Sequence, residues 1–280
     1  MTDPGAANIP VVLYTDSGSN PSQKATLVTL SSAAGAISGV TLIIDRVVVS
    51  HENAGPMTNS VMSTGDNGDV GIRYNVATGN LTVDSGMELH VLTGKTFTPG
   101  GTVTTTAAST AGNPDGDVHI TASSTLSMGT NALSVGGDFN NAGTFSKSSG
   151  QTTTFTDTGS GFTITPNGNN FDSLVFNGVS GGWTMGAAAT TDANLTITNG
   201  TLIGPASTLS VAGDFNNSGT YTHNSGTVTM AGTSQNITGG QWPACHKLRE
   251  TDRSTNCAGV GHVCVAVGRT RFVTKTLPRS

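Results

Sequence analysis

No run of about 18 apolar residues occurs in this chain of 280 residues, so the sequence offers no membrane-spanning helix. Charge is sparse as well: 10% of residues are charged, against roughly 25% in an average globular domain. Disorder by composition requires high net charge and few β-branched residues. This chain instead is rich in Val, Ile and Thr, which suit a pleated, half-buried surface. The first 240 residues contain no cysteine, so that body needs no disulfide and reports no redox compartment. Their only permanent cations are Lys24, Arg46, Arg73, Lys95 and Lys147. That scarcity argues against acidic polysaccharides as substrates, and the acidic body argues against nucleic acid as a partner. Met1-Thr2-Asp3-Pro4 has neither the basic start nor the apolar centre of a signal peptide. The expectation is a fragment of an exported protein whose export signal lies outside this chain.

What is abundant is Gly (38 residues), Thr, Ser and Asn, arranged with a period. Leu133-Ser134-Val135-Gly136-Gly137-Asp138-Phe139-Asn140-Asn141-Ala142-Gly143-Thr144-Phe145 returns as Leu209-Ser210-Val211-Ala212-Gly213-Asp214-Phe215-Asn216-Asn217-Ser218-Gly219-Thr220-Tyr221. Ten of the first twelve positions are identical. Internal copying of this kind marks a repeat architecture. From about residue 70 short triplets recur, among them Leu81-Thr82-Val83, Leu89-His90-Val91, Val118-His119-Ile120 and Leu195-Thr196-Ile197. Alternation puts the two apolar side chains on one face and Thr, Ser or His on the other. Gly and Asn clusters supply the turns. No segment carries a capped helical period, so almost no helix is expected.

These features predict an all-β chain, a right-handed parallel β-helix (β-solenoid). Four coils of equal length would carry Leu133 to Leu209 and place the second copy above the first. Leu133, Val135, Phe139, Leu209, Val211 and Phe215 are predicted to be core, with Asn140-Asn141 and Asn216-Asn217 at turns. Residues 1–74 form an N-terminal β segment or cap, 75–240 the repeats, and 241–280 a basic, cysteine-containing tail that is poorly ordered. Within the cap, strands are expected near 9–14, 25–30 and 40–49, the last interrupted at Asp45-Arg46.

The Gly-Asp-Phe-Asn-Asn-(Ala/Ser)-Gly-Thr-(Phe/Tyr) units, with their Leu-Ser-Val and Leu-Thr-Ile triplets, resemble repeats of bacterial adhesins and autotransporter passengers over roughly residues 75–240. The resemblance implies a parallel β-helix on a cell surface and transfers no catalytic motif.

The tail departs from this texture. Residues 241–280 hold seven of the twelve basic residues, all three cysteines, and only Glu250 and Asp252 as acids. Shifting the reading frame by one base across Cys245–Arg253 permits Val-Thr-Asn-Phe-Glu-Lys-Leu-Thr-Val, close to the Asn170–Phe176 register expected there. The tail is therefore either an out-of-frame end of a longer gene or a genuine basic terminus.

Several groups carry the residue types of a site. Cys245, His246, Cys257, His262 and Cys264 have zinc-ligand chemistry without paired C-x₂₋₄-C spacing. Asp66-Asn67-Gly68-Asp69 and Asn113-Pro114-Asp115-Gly116-Asp117 are oxygen-rich but match no full calcium loop. Asp138 and Asp214 recur with the repeat and read as turn or capping residues. Asp45, His51 and Glu52 flank an apolar strand and read as structural. Thr-x-Thr pairs such as Thr102/Thr104, Thr152/Thr154 and Thr196/Thr198 would form an ice-binding face only if they stacked in a flat array. The sequence thus assigns no catalytic, cofactor-binding or metal-ligating residue and no cofactor. It favours a non-enzymatic, extracellular or cell-surface stalk or adhesive segment, with glycans or a neighbouring cell surface as partner and no membrane insertion. The alternatives are a glycan-binding or glycan-cleaving β-helix and an ice-binding solenoid; the oligomeric state is left open.

Overall fold

A computed structural model describes residues 9–15, 23–32, 37, 40–52, 55–107, 115–239, 248–250 and 256–258. Over the described residues the chain winds into a parallel β-solenoid of about 10 turns, nearly all β, with one helix. Each turn has three short faces, and each face stacks on its equivalent in the next turn.

The first face carries the file Leu81, Val103, Leu133, Thr153, Leu174, Leu195, Phe215 and Ile237, each paired in parallel with the next. All of them are buried. The second face runs through Val47, Leu89, Val118, Phe139 and Ile164. The third includes Phe97, Leu126 and Phe145, and later Ala189, Leu209 and Val228. A single coil has no second layer against which to bury its apolar side chains. Stacking closes them into one continuous core, from Val28 to Ile237. Asp138 and Asp214 serve the stack in the same way: each carboxylate accepts the backbone N–H of a residue one turn on, Thr163 for Asp138 (2.7 Å) and Asn236 for Asp214 (2.8 Å).

The coil length differs from expectation. Leu133 pairs with Thr153, Thr153 with Leu174, Leu174 with Leu195 and Leu195 with Phe215. Four turns therefore carry Leu133 to Phe215 and not to Leu209, so each coil is longer than the repeat implied. The two sequence copies do not sit above one another. Leu133–Val135 lies on the first face, whereas Leu209–Val211 lies on the third. Phe139 lies on the second face and Phe215 on the first. The second copy is turned by one face about the rod axis, three and two-thirds turns after the first. Both copies still bury Leu, Val and Phe fully, because every face asks for the same inward apolar side chain.

Other expectations change in detail. Asn140-Asn141 and Asn216-Asn217 end the strands Phe139–Asn141 and Phe215–Asn217 rather than forming the turns. Asn141 points inward, donates to the Pro166 carbonyl (2.9 Å) and accepts the Gly143 amide (3.0 Å). The parallel ladder begins at Ala25–Leu30, well before residue 75, and stacks on Arg46–Val49. Pro10–Tyr14 pairs antiparallel with Ala25–Leu30 at this end of the stack. The apolar run 40–49 is strand only over Arg46–Val49; Asp45 takes a left-handed φ of 59° and leaves Leu42 and Ile44 exposed. One turn is enlarged by an insertion, the helix Asn59–Gly65 and the hairpin Tyr74–Ala77/Asn80–Val83. Thr58 caps the helix by accepting the Val61 amide (3.2 Å), and the Tyr74 hydroxyl donates to the Met62 carbonyl (3.0 Å). At the other end, the backbone of Leu248–Glu250 and Asn256–Ala258 pairs in parallel with Val228–Met230 and Asn236–Thr238. Two short strands beyond residue 240 thereby pair with the stack.

Candidate functional site

The outward side chains of the second face form a cluster that no local motif announces. Strand Glu88–Val91 buries Leu89 and Val91 inward and turns Glu88 and His90 to the other side. On the turn before, Arg46 stands beside Glu88; on the turn after, His119 stands beside His90. Stacking thereby gathers three polar residues, Arg46, His90 and His119, from three strands around one carboxylate oxygen of Glu88. Glu88 Oε1 lies 2.7 Å from Arg46 Nε, 2.6 Å from His90 Nδ1 and 3.4 Å from His119 Nδ1. The two imidazoles meet edge to face, with centroids 4.9 Å apart. Glu88 and His90 are buried, while His119 is 32% exposed and opens the cluster to solvent.

An ionised carboxylate only accepts hydrogen bonds, so each contacting Nδ1 carries a proton toward it in this arrangement. Burial raises the Glu88 carboxyl, but donation from His119, His90 and Arg46 and the Arg46 charge outweigh it and hold it at about 2. The next rung behaves oppositely. Asp117 follows Glu88 in register and is buried. Burial, reinforced by the charges of Asp138, Glu88 and Asp115, lifts its carboxyl to about 6 despite the Asp138 amide it accepts at 2.7 Å. Asp138, one rung further, is also raised by burial, against a lowering bond from the Thr163 amide.

Glu88, His90 and His119 each offer one ligand atom, all within 4.8 Å of one another, and could hold a metal ion. The sequence assigned them no such role. The available signal was the pair of triplets Leu89-His90-Val91 and Val118-His119-Ile120, whose central histidines must share the outward face if the two strands stack. Their wide separation hid this, because the coil from His90 to His119 is longer than the next one, from His119 to Asn140.

The residues singled out in the sequence fall elsewhere. Asp66, Asn67 and Asp69 turn their oxygens onto the amides of Gly68, Asp69 and Gly71, as a polar turn does. His51 accepts the Thr96 amide at 2.9 Å and is buried, and Asp45 lies at the other end of the strand Arg46–Val49. The outward row on the first face reads Thr104, Ser134, Thr154, Val175, Thr196, Asn216. This row is interrupted at Ser134, Val175 and Asn216 and is not a regular Thr array. Cys245, His246, His262, Cys264 and the side chain of Cys257 lie outside the described residues. Among the described residues no helix is long and apolar enough to cross a membrane.

The fold and cluster define a parallel β-solenoid carrying a Glu-His-His centre. No protein-family model, curated protein or solved structure matches the chain.

Proposed function

We propose that this chain is a non-enzymatic segment of a secreted or cell-surface protein, serving as a stalk and contact surface in the manner of bacterial adhesins. The observation that supports it is the continuity of the core, an unbroken buried file from Leu81 to Ile237 on the first face alone. Such a rod keeps its ends apart without needing a compact site, and its outward Thr, Ser and Asn rows offer neutral hydrogen-bonding groups to glycans. Antibody raised against the folded chain should label unpermeabilised cells of the natural producer. Labelling that appears only after permeabilisation would overturn the proposal.

A second reading, a glycan-cleaving β-helix, draws on one observation. Glu88 and Asp117 sit on neighbouring rungs, with carboxyls held at about 2 and about 6. Paired carboxyls with separated pKa values are the usual acid–base arrangement of glycosidases. Both groups are already bonded, Glu88 to three side chains and Asp117 to a backbone amide, which favours the structural reading. Release of reducing ends from a polysaccharide panel, lost in Asp117→Asn, would select the enzyme.

A further inference from the structure

We infer that Glu88, His90 and His119 form a binding site for a divalent transition-metal ion of the zinc class, clamping two successive turns of the solenoid. Two imidazoles and one carboxylate suit such an ion by ligand chemistry. The three ligand atoms lie within 4.8 Å of one another, and one separation already matches what the ion requires. With metal–ligand bonds of about 2.0–2.1 Å, the edge of a coordination tetrahedron is about 3.3 Å. The Glu88–His119 separation is already 3.4 Å. The Glu88–His90 separation of 2.6 Å has to widen, by a rotation of side chains on the same strand. Both Nδ1 atoms already face the carboxylate oxygen, so the ion enters where their protons now lie. Each neutral imidazole then carries its proton on Nε2. The exposed side of His119 leaves an entry path and a fourth position for water.

Two features of the surroundings set the affinity in opposite directions. Arg46 competes for the same Glu88 oxygen and brings a positive charge to the site. Asp117 and Asp138, on the two following rungs, and Asp115 beside them bring negative charge that partly offsets it. The site is therefore built from the stack itself. Glu88 and His90 come from one turn and His119 from the next, so the ion ties together two strands that only the winding of the coil makes neighbours.

The test is titration of the full chain, thiols alkylated, with Co²⁺ followed by its visible absorption and with Zn²⁺ in competition. One high-affinity ion per chain is expected. His119→Ala, a partly exposed position, should weaken binding by at least about tenfold, as perturbing even an outer ligand shell does. Arg46→Gln should tighten it, a change that loss of a structural contact would not produce. Equal Co²⁺ affinity in wild type and His119→Ala would overturn the proposal, since the ion would then sit elsewhere. A readout on the unaltered chain stands beside the variants, namely carbethoxylation of the histidines located by peptide mass spectrometry. Saturating Zn²⁺ should slow modification of His119 while leaving His223 unaffected. Unchanged modification of His119 would equally refute the site.

Discussion

Phe215 sits between Leu195 and Ile237 in the inward file of the first face, with its ring edge-on to Tyr221 at 5.4 Å. No water reaches it. Phe215→Ala should cost roughly 3–5 kcal/mol, the range for a fully buried Phe. Chemical denaturation would show it as a lowered midpoint, and an unchanged midpoint would mean the ring is not core. Asp117 poses the opposite case, a buried charge that the fold tolerates at a cost. Its carboxyl is raised from 3.8 to about 6, so the native state holds the proton more tightly than the unfolded chain. That contribution is complete below about pH 4 and is lost as pH rises through about 6. Asp117→Asn keeps the oxygen that accepts the Asp138 amide and removes the cost of burying a charge, together with its repulsion from neighbouring carboxylates. It should stabilise the protein by on the order of 2–3 kcal/mol at pH 7.5 and by little at pH 4. Thermal melts of the two proteins at both pH values check the sign.

The strands show what could be read from local sequence and what could not. Leu-Ser-Val at 133–135 and at 209–211 is strand in both places, inward at the two apolar positions, as the alternation requires. The face each occupies was not legible, because the three faces present the same demand to a triplet and the chain can enter any of them. Coil length decides the face, and coil length is set in turns where insertions carry little pattern. The Glu-His-His centre was hidden for the same reason. Its members belong to ordinary triplets, and only the register between turns makes them neighbours. The helix Asn59–Gly65 escaped the sequence reading because it is too short to show a helical period, although the Thr58 cap is present. The long segment Ser173–Met185, which serves two faces, carries a constraint that only the structure reveals. A Cβ on Gly178 would lie 1.6 Å from the Asp157 carbonyl oxygen of the previous turn. Gly178→Ala should therefore destabilise by about 3 kcal/mol, at the upper end for overpacking. Gly55, with nothing within 4 Å of its would-be Cβ, should accept alanine without loss. Denaturation midpoints of the two variants, measured side by side, check the contrast.

At the scale of the whole molecule, each turn adds one rung of about 4.8 Å, however much chain it contains. The outward positions Thr82, Thr104, Ser134, Thr154, Val175, Thr196, Asn216 and Thr238 lie on eight successive rungs of the first face. The step from Thr104 to Ser134 takes more chain than the step from Thr154 to Val175, yet each counts as a single rung. Pulsed electron–electron resonance tests this directly. Native cysteines are first replaced by serine, one spin label is fixed at Thr82, and the second is placed in turn at Thr196, Asn216 and Thr238. Backbone separations of about 24, 29 and 34 Å are expected, growing by one rung at each step. Distances that do not increase by a constant step along this series, as in a sandwich whose strands return past Thr82, would contradict the solenoid.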